Sequence, residues 1–191
     1  MAYLLDRLKQ SLAKEGLTPR TVSARKWLQA KVGDLRPTAS ALMRDRERLK
    51  DKSFIGKMYF FFYDPKLKDS LPYYDRFPLV IPIERYSDGF LGLNLHYIHP
   101  KHRIILLDKL SDTLSNSKFN EKTKFRVNYD YLSAASTAFE AMPCIKRYLY
   151  GHITSRFLEI PADEWDIAAL LPVQQFTASE SKVYADSRKK F

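Results

Sequence analysis

Apolar and polar positions change their spacing twice along the chain, and the changes mark out its elements. Over residues 2 to 14, Tyr3, Leu4, Leu8 and Leu12 recur at the interval of one helical face. Gly16 stands where a left-handed C-terminal cap belongs. Thr18-Pro19 reads as an N-cap followed by proline at the first helical position. This second helix is expected to run to about Lys31, with Val22, Trp27 and Leu28 as its apolar positions, and to end at Gly33. Pro37-Thr38 opens a third helical segment, Thr38 to Lys50, anchored by Leu42, Met43 and Leu49. The apolar stripes are narrow, which predicts an arm that packs on a partner rather than on its own core.

From Met58 the period falls to two. Met58 to Tyr63 is a compact β-forming run, stopped by Asp64-Pro65. Lys66 to Tyr74 reads as a polar loop around Leu71-Pro72. Phe77 to Ile83 is a second strand, and Pro78 and Pro82 argue for an edge position or a strand end. Ser87-Asp88-Gly89 is a turn, and Phe90 to Ile98 a third strand. Leu91, Leu93, Leu95 and Tyr97 there alternate with Gly92, Asn94 and His96. Gly92 permits a close backbone approach or a bulge. Antiparallel pairing across the turn is the expected hairpin.

Helical spacing returns at Pro100 and runs through about Leu114, with Ile104, Leu107 and Leu110 on the buried side. A loop to Lys122, a short strand at 124–128 and a helix over 129–141 follow. Pro143 interrupts that helix, and Ile145 to His152 continues as a second, basic one. Ser155 to Ile160 alternates as a strand, and Pro161 to Glu164 is a tight turn or one helical turn. Asp166 to Leu171 suits a strand or a short helix, with strand preferred; Ser179 to Lys190 is a terminal helix with a basic end. The order predicts an α+β fold: a small antiparallel, partly open β-barrel decorated by helices. The expected divisions are a basic helical arm (1–52), a core domain (53–176) and a helical tail (177–191).

Composition adds limits. At 191 residues, 45% of them hydrophobic and 14% aromatic, the chain can bury one core. No stretch approaches the roughly 18 consecutive apolar residues of a membrane span, and the start is too short an apolar run for a signal peptide. The sole cysteine, Cys144, cannot form an internal disulfide. Together these favour synthesis in a reducing cytoplasm. Net charge is +10. Residues 1–52 hold 13 Lys/Arg against 6 Asp/Glu, an excess of 7; the remaining residues hold 19 against 16. A surface of that kind attracts polyanions, although a solvated helical face accounts for the same charges.

His96, His99 and His102 stand close in sequence, as metal ligands do. No cysteine pair accompanies them and His152 stands alone, so no metal site and no nuclease is expected. Cys144 follows Pro143 in an apolar context and reads as a buried structural thiol. The glycines are dispersed and form no phosphate-binding loop, so no nucleotide cofactor is expected. Asp75 with Arg76 reads as a structural ion pair or a loop hydrogen bond, and Glu164-Trp165-Asp166 as a turn beside a buried indole. No catalytic set emerges. The strongest chemical signal is cationic. Arg20, Arg25, Lys26, Arg44, Arg46 and Arg48 in the first 52 residues are the candidate phosphate contacts. Lys146 and Arg147, interleaved with Tyr148 and Tyr150, are a second candidate group, unless the rings face a core and the cations face water.

Three stretches carry a resemblance. They are Tyr63-Asp64-Pro65-Lys66, Leu71-Pro72-Tyr73-Tyr74-Asp75-Arg76-Phe77-Pro78-Leu79-Val80 and Gly89-Phe90-Leu91-Gly92-Leu93-Asn94-Leu95-His96-Tyr97. Ile160 to Trp165 and Leu170 to Val173 extend it. Together these resemble small virion proteins of T-even-type tailed bacteriophages, over residues 54 to 188. The family implied is that of the DNA end protector that travels with the packaged genome, with a neck or baseplate component as the alternative. The resemblance implies a non-enzymatic protein, made in the host cytoplasm during assembly and carried in the virion. Its implied partners are double-stranded DNA and other virion proteins, with no membrane. It transfers no catalytic residue.

Overall fold

A computed structural model describes residues 3–114 and 144–188. The strand expected at 124–128 and the helix expected over 129–141 lie outside the described residues. Helix α1 (Leu4–Lys14) ends at Glu15, and Gly16 follows with a φ of 65°. Helix α2 (Val22–Leu35) begins later than the Thr18-Pro19 signal suggests. Thr18 to Thr21 forms a turn, and the Thr21 hydroxyl accepts the Ala24 N–H at 3.2 Å as the true N-cap. Gly33 does not end α2; it lies on the exposed face, and Arg36, with a φ of 44°, supplies the left-handed cap.

The third helical segment is cut short. Thr38 caps α3 (Ala39–Leu42) through the Ala41 N–H, but the chain then passes through a 3-10 turn into strand β1 (Leu49–Lys50). Pairing with strand β6 (Phe157–Ile160) captures it there, with Leu49 opposite Leu158. Between them in sequence come β2 (Met58–Phe60), β3 (Leu79–Arg85), β4 (Gly89–Asn94), helix α4 (Pro100–Leu114) and β5 (Ile145–Leu149). Helices α5 (Trp165–Leu170) and α6 (Glu180–Arg188) complete the chain.

The six strands form one antiparallel sheet in the order β1-β6-β2-β3-β4-β5. The hairpin of β3 and β4 is as expected, but β3 lies inside the sheet, not at its edge. Pro82 is tolerated because β2 begins only at Met58. At that level the β2 side contributes the Gly56 N–H, which donates to the Pro82 carbonyl at 2.9 Å, so β3 needs no donor there. The register shifts between Pro82 and Glu84. Residues 145–149 are a strand rather than a helix, because β4 pairs with them from Gly89 to Leu93. Residues 165–170 are a helix rather than a strand. All six are buried, Asp166 among them, so the segment has no exposed face from which to read a period.

Alternation divides the sheet between two cores. Phe60, Leu79, Ile81, Leu93 and Leu158 face the helices, where Leu5, Leu8 and Leu12 of α1 and Ala24, Leu28 and Val32 of α2 join the same cluster. The narrow stripes of the first helices are therefore filled by the protein's own core, and the expected need for a partner there is overturned. Tyr59, Phe61, Tyr63, Phe90, Tyr148 and Phe157 occupy the other face. The Phe90 and Phe157 ring centroids lie 6.2 Å apart although β3 and β2 separate their strands. Flat strands would stand about 14 Å apart at that interval, so the sheet bends around this aromatic core. It curls without closing: β1 and β5 remain at opposite ends of the sheet, and no closed barrel forms among the described residues.

Candidate nucleic-acid interface

The cations singled out in the sequence fall into three environments. Arg25 and Arg48 point inward to carboxylates. Arg25 on α2 reaches Asp166 on α5 at 2.8 Å and Asp108 on α4 at 2.5 Å, with its side chain 15% exposed. Arg48 reaches Asp45 at 2.8 Å, Asp6 on α1 at 2.5 Å and Glu164 beside α5. Burial works against both charges, but the carboxylates outweigh it and raise both guanidinium pKa values above their ordinary value. These two arginines tie the helical layer together. Arg20 is half-buried where α2 meets α1 and α5. Lys146 lies over the Tyr97 ring, 4.7 Å from its centroid.

Arg44 and Arg46 are exposed, as are Lys50 and Lys52 beyond them. They occupy a ribbon, residues 44–52, that leads from α3 along the sheet edge formed by β1. From Arg46 to Lys52 the chain spans at most about 20 Å, so these cations present one short track. Lys26 is exposed separately on α2. Lysines on an edge strand also discourage strand addition there.

The track opens into a cleft of about 500 Å³. Its walls are Asp51 and Lys52 from the ribbon with Ser53 after it, Arg85 at the end of β3 with Tyr86 and Ser87 from the β3–β4 turn, and Tyr150, Ile153 and Ser155 from the segment joining β5 to β6 with Phe157 at the start of β6. Tyr86 is 36% exposed, Tyr150 37%, and neighbouring Phe54 52%. Arg147 stacks on Tyr86 with its guanidinium carbon 3.7 Å from the ring centroid, and it also pairs with Asp88. Lys57 and Arg85 both approach the Phe54 ring, and Arg85 donates to the Ser53 carbonyl. Asp51 is neutralised by Arg156 at 2.7 Å. Cations on aromatic rings around a concave opening suit phosphates and bases together.

Sequence reading missed the cleft. Its exposed aromatic rings are Tyr86 and Tyr150, and the β4–β5 pairing joins those regions, with the Tyr150 N–H donating to the Asp88 carbonyl at 2.9 Å. The local signal was Arg85-Tyr86-Ser87, an aromatic residue at a hairpin tip. In β5 the interleaving of cations and rings reads as strand alternation: Tyr148 is buried in the aromatic core and Arg147 is exposed.

The histidines are not brought together as a set. His96 is fully buried and its Nδ1 meets an Asp75 carboxylate oxygen at 2.6 Å. Asp75 also accepts the N–H groups of Phe77 and Gln175, at 3.1 and 3.0 Å. This is the loop hydrogen bonding expected of Asp75, with His96 rather than Arg76 as its side-chain partner. His99 and His102 lie near the start of α4 with their rings 6.0 Å apart. Among the described residues no group of three or more His, Cys, Asp or Glu side chains is placed to hold a metal ion, and no helix is long and apolar enough to cross a membrane. Cys144 is buried, and burial pushes its thiol up to about 11.

Fold and site thus define an α+β protein with a curled sheet, a helical layer on one face, and a basic track ending in an aromatic cleft. The family model described as phage T4 terminal DNA protecting protein matches residues 4–190, and the chain belongs to that family. The match extends beyond the stretches that carried the resemblance and takes in the first helices. Comparison with curated proteins and with solved structures gave no match.

Proposed function

We propose that this protein binds the ends of linear double-stranded DNA and shields them without performing chemistry. Membership of the terminal DNA protecting family carries the reading, and it favours end protection over a role as a neck or baseplate subunit. The exposed cations Arg44, Arg46, Lys50 and Lys52 would contact phosphates, with Lys26 as an outlying contact. Such contacts are sequence-independent, as a protector of packaged ends requires. The protein would be made in the host cytoplasm and carried in the virion with the genome, beside other virion proteins.

The test compares binding to a linear fragment and to its closed-circular form over a salt series, together with exonuclease digestion of the linear form. Four phosphate contacts give a slope of log K against log salt of about −4. A steep slope, a preference for the linear form and slowed digestion are expected. Absence of binding at low salt would leave the basic track as an assembly surface.

A further inference from the structure

We infer that the cleft between the β3–β4 turn and residues 150–157 receives the terminal nucleotide of a DNA strand, its base against Tyr86 and Tyr150 and its phosphate between Lys52 and Arg85. The inference rests on the end-binding reading and assigns it a site. The cleft, about 500 Å³, falls within the roughly 300–1,000 Å³ of pockets that take small ligands. Both rings line it while remaining more than a third exposed. A base inside a duplex is stacked on both faces and reaches such rings only by flipping out, at the cost of its pairing and both stacking contacts. A terminal nucleotide has one stacking neighbour, so it leaves the stack at the smallest energetic cost. A stacking pocket therefore discriminates ends from duplex interior without reading sequence, since every base offers a π-face.

The charges around the cleft agree. Lys52 and Arg85 stand in its walls, and Arg85 is oriented by the Ser53 carbonyl. The one carboxylate in the walls, Asp51, is compensated by Arg156. Arg147, which is not one of the walls, stacks on one face of the Tyr86 ring and is paired with Asp88. The exposed cations Arg44, Arg46, Lys50 and Lys52 lead into the cleft, so a duplex held on that track by its phosphates would bring its end to the opening.

The deciding measurement uses the full chain and one DNA sequence in two forms, a linear duplex and a covalently closed minicircle. The variant is Tyr86→Ala with Tyr150→Ala; both side chains are at the surface, and its thermal transition checks that it folds. The wild type should prefer the linear form. The variant should lose that preference by about fivefold or more, the lower end of what stacking one base is worth, with affinity for the minicircle unchanged. Arg44→Ala with Arg46→Ala should weaken both forms equally. Blunt and overhanging ends separate a frayed nucleotide from one already unpaired, and either supports the pocket if the tyrosine variant loses it. A variant that keeps the full linear preference overturns the pocket and leaves end binding intact. A wild type with no linear preference overturns both.

Discussion

His96 shows how one buried side chain couples stability to pH. Burial lowers its pKa and outweighs the opposing pull of Asp75, so the ring stays neutral. Burial also opposes the Asp75 charge, but His96 and the Gln175 and Phe77 N–H groups prevail and hold that carboxyl below its ordinary value. Both folded pKa values lie below the unfolded ones, so in each case the unfolded chain binds more protons as pH falls. Stability from His96 is present above about pH 6.5 and is lost below it; stability from Asp75 is lost below about pH 3.9. Denaturant unfolding should therefore show stability falling from pH 7 to pH 5, by at most about 1.4 kcal/mol per unit for one proton. His96→Gln should flatten that slope whatever it does to overall stability, and an unchanged slope would assign the effect to other groups. Gly92 acts by absence: a Cβ there would lie 2.4 Å from the Val80 Cγ1. Gly92→Ala should cost about 1–3 kcal/mol by overpacking, read as a lowered denaturation midpoint.

At the scale of elements, the first helices behave as a layer of the core. Leu8 on α1 is 1% exposed within the cluster that the sheet also lines. Leu8→Ala should therefore destabilise the whole fold by about 2–5 kcal/mol in a single transition. A separate low-temperature transition would show instead that the helices melt as an independent arm. The start of α3 and the central hairpin were legible because caps and turns are local: Thr38 and Ser87-Asp88-Gly89 behave as their chemistry dictates. Residues 145–149 were not legible. Ile145, Tyr148 and Leu149 suit either element, and the β4 edge supplied the missing partner. Residues 165–170 failed for the opposite reason, being buried on every side, Asp166 included.

At the scale of the molecule, the net charge of +10 separates into cations that hold the fold and cations that face outward. Arg25→Ala should destabilise by about 3 kcal/mol, since it leaves Asp166 buried without its partner, and should leave the salt slope of DNA binding unchanged. Arg44→Ala with Arg46→Ala should keep stability and reduce that slope by about 2. Binding across a salt series and unfolding of the same variants check both. The class α+β, the starts of α3 and α4, the β3–β4 hairpin, the basic character of the first 52 residues and the family were legible in the sequence alone. Those properties reside in neighbouring residues, in composition or in ordered motifs. Only the tertiary structure decided that the helical stripes close on the sheet, that Pro82 lies inside it, that Arg25 and Arg48 are held by carboxylates distant in sequence, and that Tyr86 and Tyr150 share a cleft with Lys52. Each depends on contacts across tens of residues, where register and burial, rather than local propensity, select the outcome.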